Sequence, residues 1–485
     1  MTVSLPSDVP LLVGAALLVA GVLCAGFADR FRAPGLLLFL GLGMAIGSDG
    51  LGLIDFADAD LAQSIGVAAL VVILYEGGLT TSPAELRRVA GPGLALATLG
   101  VVITAGGVAL VALAVLDVGL TTALLIGSVV SSTDAAATFS VLRGAKVPGR
   151  LRVLLEAESG GNDPMAVLLT IGFLEVATGD VTAADWMVFG LRQLIGGILV
   201  GVLVGWAGGR TLTRLRLGSP ALYPVLGLGV AGLAYGSAAF VGASGFLAAY
   251  VAGVAVRTAA PRRRRAVRTF HEGLATAAQI TLFLLLGLLV FPSRLPEVAV
   301  PALVVATTLV VVARPLAVTA CLPWFGFARR ELAFVSWAGL RGAVPIVLAT
   351  FPLTAGHPQG QAIFDVTFFV VLVSAVVQGL TVERVAHRLE LEPEAAGWAA
   401  LAEVIPLDAV GVDVVEINIP AGSPVVGQPL REVRFPLDAR VAAVVRDGEV
   451  LVPNGDSELA EGDLLVVFAR QQGELAGAMT AWAQP

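Results

Sequence analysis

Apolar residues run almost unbroken along the first 390 positions, interrupted at short intervals by clusters of Gly, Pro, Asp and Arg. One bilayer crossing takes about 20 mostly apolar residues. The pattern therefore predicts helices near 11–28, 33–48, 62–80, 92–116, 121–143, 153–178 and 186–213, then near 220–239, 243–258, 275–292, 298–320, 332–351 and 364–385. This is an all-α polytopic membrane architecture, and thirteen crossings put the termini on opposite sides. Basic residues gather on alternate connections: Arg30 and Arg32; Arg87 and Arg88; Arg143, Lys146, Arg150 and Arg152; Arg210, Arg214 and Arg216; Arg257, Arg262 to Arg265 and Arg268; Arg329 and Arg330. The other connections contribute only Arg294. Positive loops stay cytoplasmic, so the N-terminus is expected outside and the C-terminus inside a cell (inner) membrane. The first run has no basic flank before it and no small-residue exit, and reads as a spanning helix rather than a cleaved signal.

Beyond about residue 390 the pattern changes. The last hundred residues hold sixteen Asp and Glu against six Arg. VVEINIP, ARVAAVVRDGEVLVP and GDLLVVFAR alternate like short strands, with turns at Asp447-Gly448, Asn454-Gly455 and Glu461-Gly462-Asp463. The expected organisation is a membrane domain over 1–390, a linker over 391–411, a small α+β cytosolic module over 412–472 and a tail over 473–485.

Composition agrees with the pattern: 57% of the 485 residues are hydrophobic, 14% are charged and 57 are glycine. Cys24 and Cys321 lie in apolar runs and read as buried hydrophobes rather than a disulfide or metal ligands. The three histidines are scattered and no nucleophile or metal spacing is present, so an enzyme is not expected. Neither a cofactor nor a nucleic-acid partner is expected.

Two predicted spans are interrupted, and lipid tolerates this only where protein or an internal cavity satisfies the freed backbone groups. The fifth, LLIGSVVSSTDAAATFSVLRG, carries Ser131, Ser132, Thr133 and Asp134 at its middle; the twelfth, AFVSWAGLRGAVPIVLA, carries Gly339, Arg341, Gly342 and Pro345. They stand seven spans apart, and an odd offset reverses orientation, as inverted-topology repeats do. Two unrelated kinks are the plainer alternative.

The sixth span, LEAESGGNDPMAVLLT, holds the densest buried chemistry. Helical geometry places Glu156, Ser159 and Asp163 on one face, with Glu158 and Asn162 one step round. Pro164 lacks an N–H and frees the carbonyl of Gly160, while Gly160-Gly161 lets a backbone or an ion approach. Burial favours a neutral carboxyl and a bound cation favours an ionised one. A site of this kind holds either a cation or a proton, and alternating its exposure gives obligatory exchange. Glu158 reads either as a ligand or as the partner of a membrane arginine, Arg314 or Arg341. Asp134 lies at a break, where half-helix ends coordinate cations. Glu76, in LYEGGLTT, reads as an entry ligand or an interfacial residue, and Glu156 as an attractor of cations.

Three features take plainer readings. Gly197, Gly201, Gly205 and Gly209 mark close helix packing, with a dimer contact as the alternative. Arg262 to Arg265 form a topology anchor on anionic lipid. His271, His357 and His387 read as ordinary surface histidines before pH sensors.

LYEGGL, SSTDAAA, EAESGGNDP, VVAR and GLRGAVP fall in order over residues 10 to about 390, and with them the chain resembles the monovalent cation:proton antiporter superfamily, in the branch with an Asn-Asp pair. The resemblance implies a homodimer, a core of two inverted repeats with crossed unwound helices, and elevator-like motion. It implies Asp163 as cation and proton carrier, Asn162 as its partner, Thr133, Asp134 and Ser159 as site ligands, and Glu158 as partner of Arg314 first and Arg341 second. K+ or Na+ would sit at Asp163, Ser159 and Thr133. Asn162, where electrogenic members carry a second Asp, implies one proton per cation. SPVVGQPLREV, AAVVRDGEVLVPNGDSEL and EGDLLVVFA are similar to the C-terminal ligand-binding module of K+ transport regulators. Together the two parts resemble potassium/proton antiporters of the cell-volume-regulation type. No G-x-G-x-x-G follows a strand, so NAD or ATP is not expected. A regulatory ligand such as a cyclic dinucleotide within 412–472, or a purely structural dimer clamp, remain the two readings of the tail. A channel gated by the tail is the competing function, although no TVGYG-like filter is present.

Overall fold

The structure is a computed structural model. It describes residues 8–31, 35–81, 83–134, 137–138, 147–179, 183–260, 264–391, 403–407, 412–420, 422–436, 439–446, 449–470 and 482. Arg262 and Arg263, the Asp447-Gly448 turn, residues 135–136 and 139–143 of the fifth predicted span and most of the 391–411 and 473–485 segments lie outside them. The chain divides into two compact units, 1–391 and 392–485.

The first unit is helical: α1 Asp8–Phe31, α2 Gly35–Ile46, α3 Ala59–Thr80, α4 Pro83–Ala95, α5 Val101–Val115, α6 Leu120–Val129, α7 Gly149–Thr178, α8 Ala183–Arg214, α9 Leu222–Phe240, α10 Gly245–Ala259, α11 Arg264–Leu289, α12 Leu295–Thr308, α13 Arg314–Cys321, α14 Arg329–Trp337, α15 Ala343–Thr354 and α16 Gly360–Arg388. Single π-helical turns, Leu96–Gly100 and Leu309–Ala313, join α4 to α5 and α12 to α13. Among the described residues, seven helical stretches are long and apolar enough to cross a bilayer, and five apolar helices are shorter. The fold is thus a mostly helical, multi-pass membrane fold. α7 is long enough to belong with the seven but carries too many polar residues. The fifth predicted span is interrupted where its polar residues stand: α6 ends at Val129, an irregular stretch follows to Asp134, and Ala137 and Thr138 are helical again. Hydroxyl side chains compete with the helix for nearby backbone groups, as Ser131 does there in donating to Ser128 O at 2.6 Å.

Close helix contact rests on small residues. At Gly78 of α3 a Cβ would lie 2.2 Å from Tyr250 O and 3.0 Å from Gly253 Cα of α10, so these two backbones touch directly. Gly201, Gly205 and Gly209 of α8 press on Ala248, Ala252 and Ala259 of α10. That glycine stripe therefore makes a contact inside the chain. Such packing substitutes for the hydrophobic drive that lipid does not supply.

The second unit contains a five-stranded antiparallel sheet in the order β1-β2-β5-β3-β4, with β1 Glu403–Leu407, β2 Val412–Asn418, β3 Arg440–Arg446, β4 Glu449–Leu451 and β5 Leu464–Arg470. On β5, Leu465 and Val467 are buried while Phe468 is exposed, the alternation of a half-buried strand. Ile417, Ile419, Val444 and Leu459 complete that core.

Candidate functional site

The two helix breaks meet. Asp134 N donates to Leu340 O at 2.8 Å and Thr138 Oγ1 to Ala338 O at 2.8 Å, so each break satisfies backbone groups the other leaves open. Asp134 also accepts from Ala137 N at 3.0 Å. A Cβ at Gly342 would lie 1.8 Å from Asp134 Oδ2, so only glycine fits where the crossing is tightest. Arg341, fully buried, donates through Nη1 to Gly339 O at 3.2 Å, just past the C-terminus of α14. The crossing thus places an anion by the start of α15 and a cation by the end of α14, each opposing the local helix dipole. Its backbone is braced by Ser374 and Gln378 of α16, through Arg341 N to Ser374 Oγ at 3.1 Å and Gln378 Nε2 to Trp337 O at 2.8 Å.

α7 runs helical through Pro164 and divides its polar residues between two directions. On the inner side, Arg314 donates to Glu158 from Nη1 at 2.5 Å and Nη2 at 2.9 Å, with both side chains buried. Arg341 is not the partner of Glu158; it belongs to the crossing. Arg314 is the first residue after the second π turn, an insertion that resets which face of the helix it occupies. Asn162 Nδ2 donates to Thr133 Oγ1 at 2.6 Å, and Thr133 Oγ1 lies 3.4 Å from Glu158 Oε1. Asn162, Thr133, Glu158 and Arg314 therefore form one buried chain.

On the other side, Ser159, Gly160 and Asp163 line a cavity of about 350 Å³ with Glu156, Asp134, Glu76, Tyr250 and Glu272. Ser159 Oγ donates to Thr133 O at 2.9 Å, which commits its proton and leaves the oxygen an acceptor toward a cation. Asp163 is 7% exposed, and its Oδ1 has no hydrogen-bond partner among the described residues. A buried carboxylate oxygen without a donor calls for a cation or a proton. Five carboxylates around one cavity make it attractive to cations, although Arg152 pairs with Glu156 at 3.2 Å and Arg268 with Glu272 at 2.9 Å.

Of the residues singled out from sequence, Asp163, Ser159, Asp134, Glu76 and Glu156 come together at the cavity. Thr133, Asn162, Glu158, Arg314 and Arg341 stand behind it. Glu272, Thr276 and Gln279 of α11 were not foreseen. Their spacing with Arg268 is a polar helical stripe that the sequence displays. Tyr250 gave no signal. His271 is corrected: it is buried, with Nδ1 2.7 Å from Val267 O and its ring 5.1 Å from that of Tyr75. The basic cluster before it suggested a surface, but one turn from buried Val267 it falls on the apolar face of α11.

A buried acidic site beside crossed helix breaks, on a multi-pass helical fold, defines an ion-translocating membrane protein. The family model described as sodium/hydrogen exchanger, transmembrane, matches residues 15–388, and the chain belongs to that family. A TrkA-C domain model matches residues 414–476. The chain is 38% identical to the K(+)/H(+) antiporter NhaP of Alkalimonas amylolytica, over 96% of this chain and 81% of that protein. It is 36% identical to the K(+)/H(+) antiporter NhaP2 of Shewanella oneidensis, over 95% and 81%. The structure of the sodium proton antiporter MjNhaP1 from Methanocaldococcus jannaschii at pH 8 shares the fold, with a TM-score of 0.71 at 24% identity, covering 79% of this chain and 99% of that one.

Proposed function

We propose that the protein exchanges a monovalent cation, K+ before Na+, for protons across the cell membrane through the single carboxylate of Asp163. The carrying observation is the buried Asp163 Oδ1 at a cavity wall, without a hydrogen-bond partner among the described residues and beside neighbours already neutralised in the Glu158–Arg314 pair. One carboxylate able to hold a cation or a proton, never both, makes exchange one for one and electroneutral. Ser159 and Asp134 add oxygens at the cation site, while Thr133 and Asn162 hold α7 against the crossing. The relatives over nearly the whole chain carry K(+)/H(+) antiporter names, which favours K+. Membership in an exchanger family removes the reason to prefer a channel.

Thirteen crossings with the N-terminus outside remain our reading of the topology. Inverted repeats gain support from a feature the sequence did not display. π turns interrupt the fourth and eleventh apolar stretches, breaks interrupt the fifth and twelfth, and long helices α7 and α16 follow in the sixth and thirteenth, always seven apart. Elevator motion, a homodimer and regulation by a small ligand on the TrkA-C module complete the proposal.

The test is proton flux in sealed vesicles at zero membrane potential, read with a pH dye as K+ or Na+ is added. Cation-driven proton movement, lost in Asp163→Asn, is expected. Cation passage without proton movement would overturn the proposal.

A further inference from the structure

Along the cavity face of α7, Glu156, Gly160 and Asp163 follow one another, four and three residues apart. Gly160 lies between the two carboxylates on that stripe, on the wall of the cavity that Asp163 and Glu156 also line. Tyr250 stands there: a Cβ on Gly160 would lie 2.6 Å from Tyr250 Cζ, 2.7 Å from Cε2 and 2.8 Å from Oη, so the phenol end rests on the glycine. The ring is presented by a rigid support, because α10 is locked to α3 at Gly78 and Gly253, backbone on backbone.

The hydroxyl is oriented as well. Thr81 Oγ1 donates to Gly77 O at 2.7 Å, so in its 3.3 Å contact with Tyr250 Oη the phenol is the donor. A hydroxyl that has committed its proton keeps two lone pairs as acceptors. Tyr250 therefore offers a neutral oxygen and an apolar ring at one point of the cavity wall.

We propose that Tyr250 is a specificity-determining residue for the transported cation. Its Oη replaces one water of the incoming ion, and its ring, seated on Gly160, leaves no room for the rest of the hydration shell on that side. An ion that surrenders water easily, as K+ does relative to Na+, is favoured at such a constriction. This deepens the antiport reading of Asp163 and rests on it.

The experiment uses the intact protein reconstituted in vesicles, with K+ and Na+ titrated separately and each variant first checked for monodisperse elution. Tyr250→Phe, which keeps the ring and removes the oxygen, is expected to raise the half-saturating K+ concentration roughly fivefold with the maximal rate held, the effect of losing one neutral ligand. Tyr250→Ala, which removes both, is expected to bring the K+ and Na+ half-saturation values together. Gly160→Ala should lose transport by collision with the ring, and the double change Gly160→Ala with Tyr250→Ala should recover it. The proposal is overturned if Tyr250→Phe titrates like the unaltered protein for both ions, or if the double variant stays as inactive as Gly160→Ala. Failure of the underlying reading shows separately, as an unaltered protein without cation-driven proton movement or an Asp163→Asn variant that retains it.

Discussion

Glu158 and Asp163 are five residues apart on one helix and face opposite demands. Glu158 is locked to Arg314 by two hydrogen bonds, with both side chains out of water. Removing one member strands the other as an uncompensated buried charge, at a cost of about 3–5 kcal/mol. Glu158→Gln is therefore expected to lower the thermal unfolding temperature of the detergent-solubilised protein sharply, while the joint replacement of Glu158 and Arg314 by Met costs less than either single change. Asp163→Asn, by contrast, alters a carboxyl whose Oδ1 has no hydrogen-bond partner among the described residues, and should leave unfolding near the original temperature while abolishing exchange. The same pair of measurements separates the two roles: stability moves with Glu158, transport without stability with Asp163. The sequence displayed both carboxylates and their faces, because 100° per residue assigns faces within one helix. It left Arg314 and Arg341 as rivals, because the choice depends on a π turn that no side-chain pattern announces.

Between elements, the spacing of backbones decides more than side-chain identity. A Cβ at Gly253 would lie 2.3 Å from Tyr75 O, a backbone atom that cannot swing aside, whereas one at Gly236 of α9 meets nothing within 4 Å. Gly253→Ala should therefore force α3 and α10 apart and destabilise by about 1–3 kcal/mol. Gly236→Ala should be neutral or stabilising by up to about 1 kcal/mol, through the helix preference of alanine. Thermal unfolding of the two variants side by side checks both, and equal shifts would refute the contact. Glycine-rich stripes were visible in the sequence as packing faces; the partner was not. The face of α8 that was compatible with a dimer contact lies on α10, since a period of four residues describes a smooth surface without naming what covers it.

For the molecule as a whole, the two units answer to different solvents. The first is held by small-residue contact and a few buried polar links in an apolar setting. The second has a small β core and ties a buried carboxylate to a partly exposed arginine: Arg446 grips Asp463 from Nε and Nη2 at 2.8 Å each, and Ala460 N adds a third bond at 2.7 Å. Burial pushes the Asp463 carboxyl up, but the Arg446 and Ala460 bonds outweigh it and hold it below the usual carboxylate range. A depressed folded value stabilises fully above the unfolded value of about 3.9 and is lost as pH falls through the folded one. The TrkA-C unit should accordingly lose stability in strong acid. Asp463→Asn should flatten that dependence, as read by hydrogen exchange of the sheet amides in the full-length protein; an unchanged acid profile would count against the pair.

Local order in this chain is written locally. Apolar run length set the helices, alternation set the strands, and isolated polar residues in apolar runs marked the two breaks and the acidic helix α7. Each of these is a property of neighbours in sequence, and the burial of charge in lipid is costly enough to make it conspicuous. What only the tertiary structure decided involves residues far apart in the chain: the hydrogen bond between Asp134 and Leu340, the choice of Arg314 for Glu158, the burial of His271 and the seat of Tyr250 on Gly160. Such contacts depend on the depth and rotation at which helices settle against each other. Packing at glycine backbones sets those, and no periodicity along a single helix encodes them.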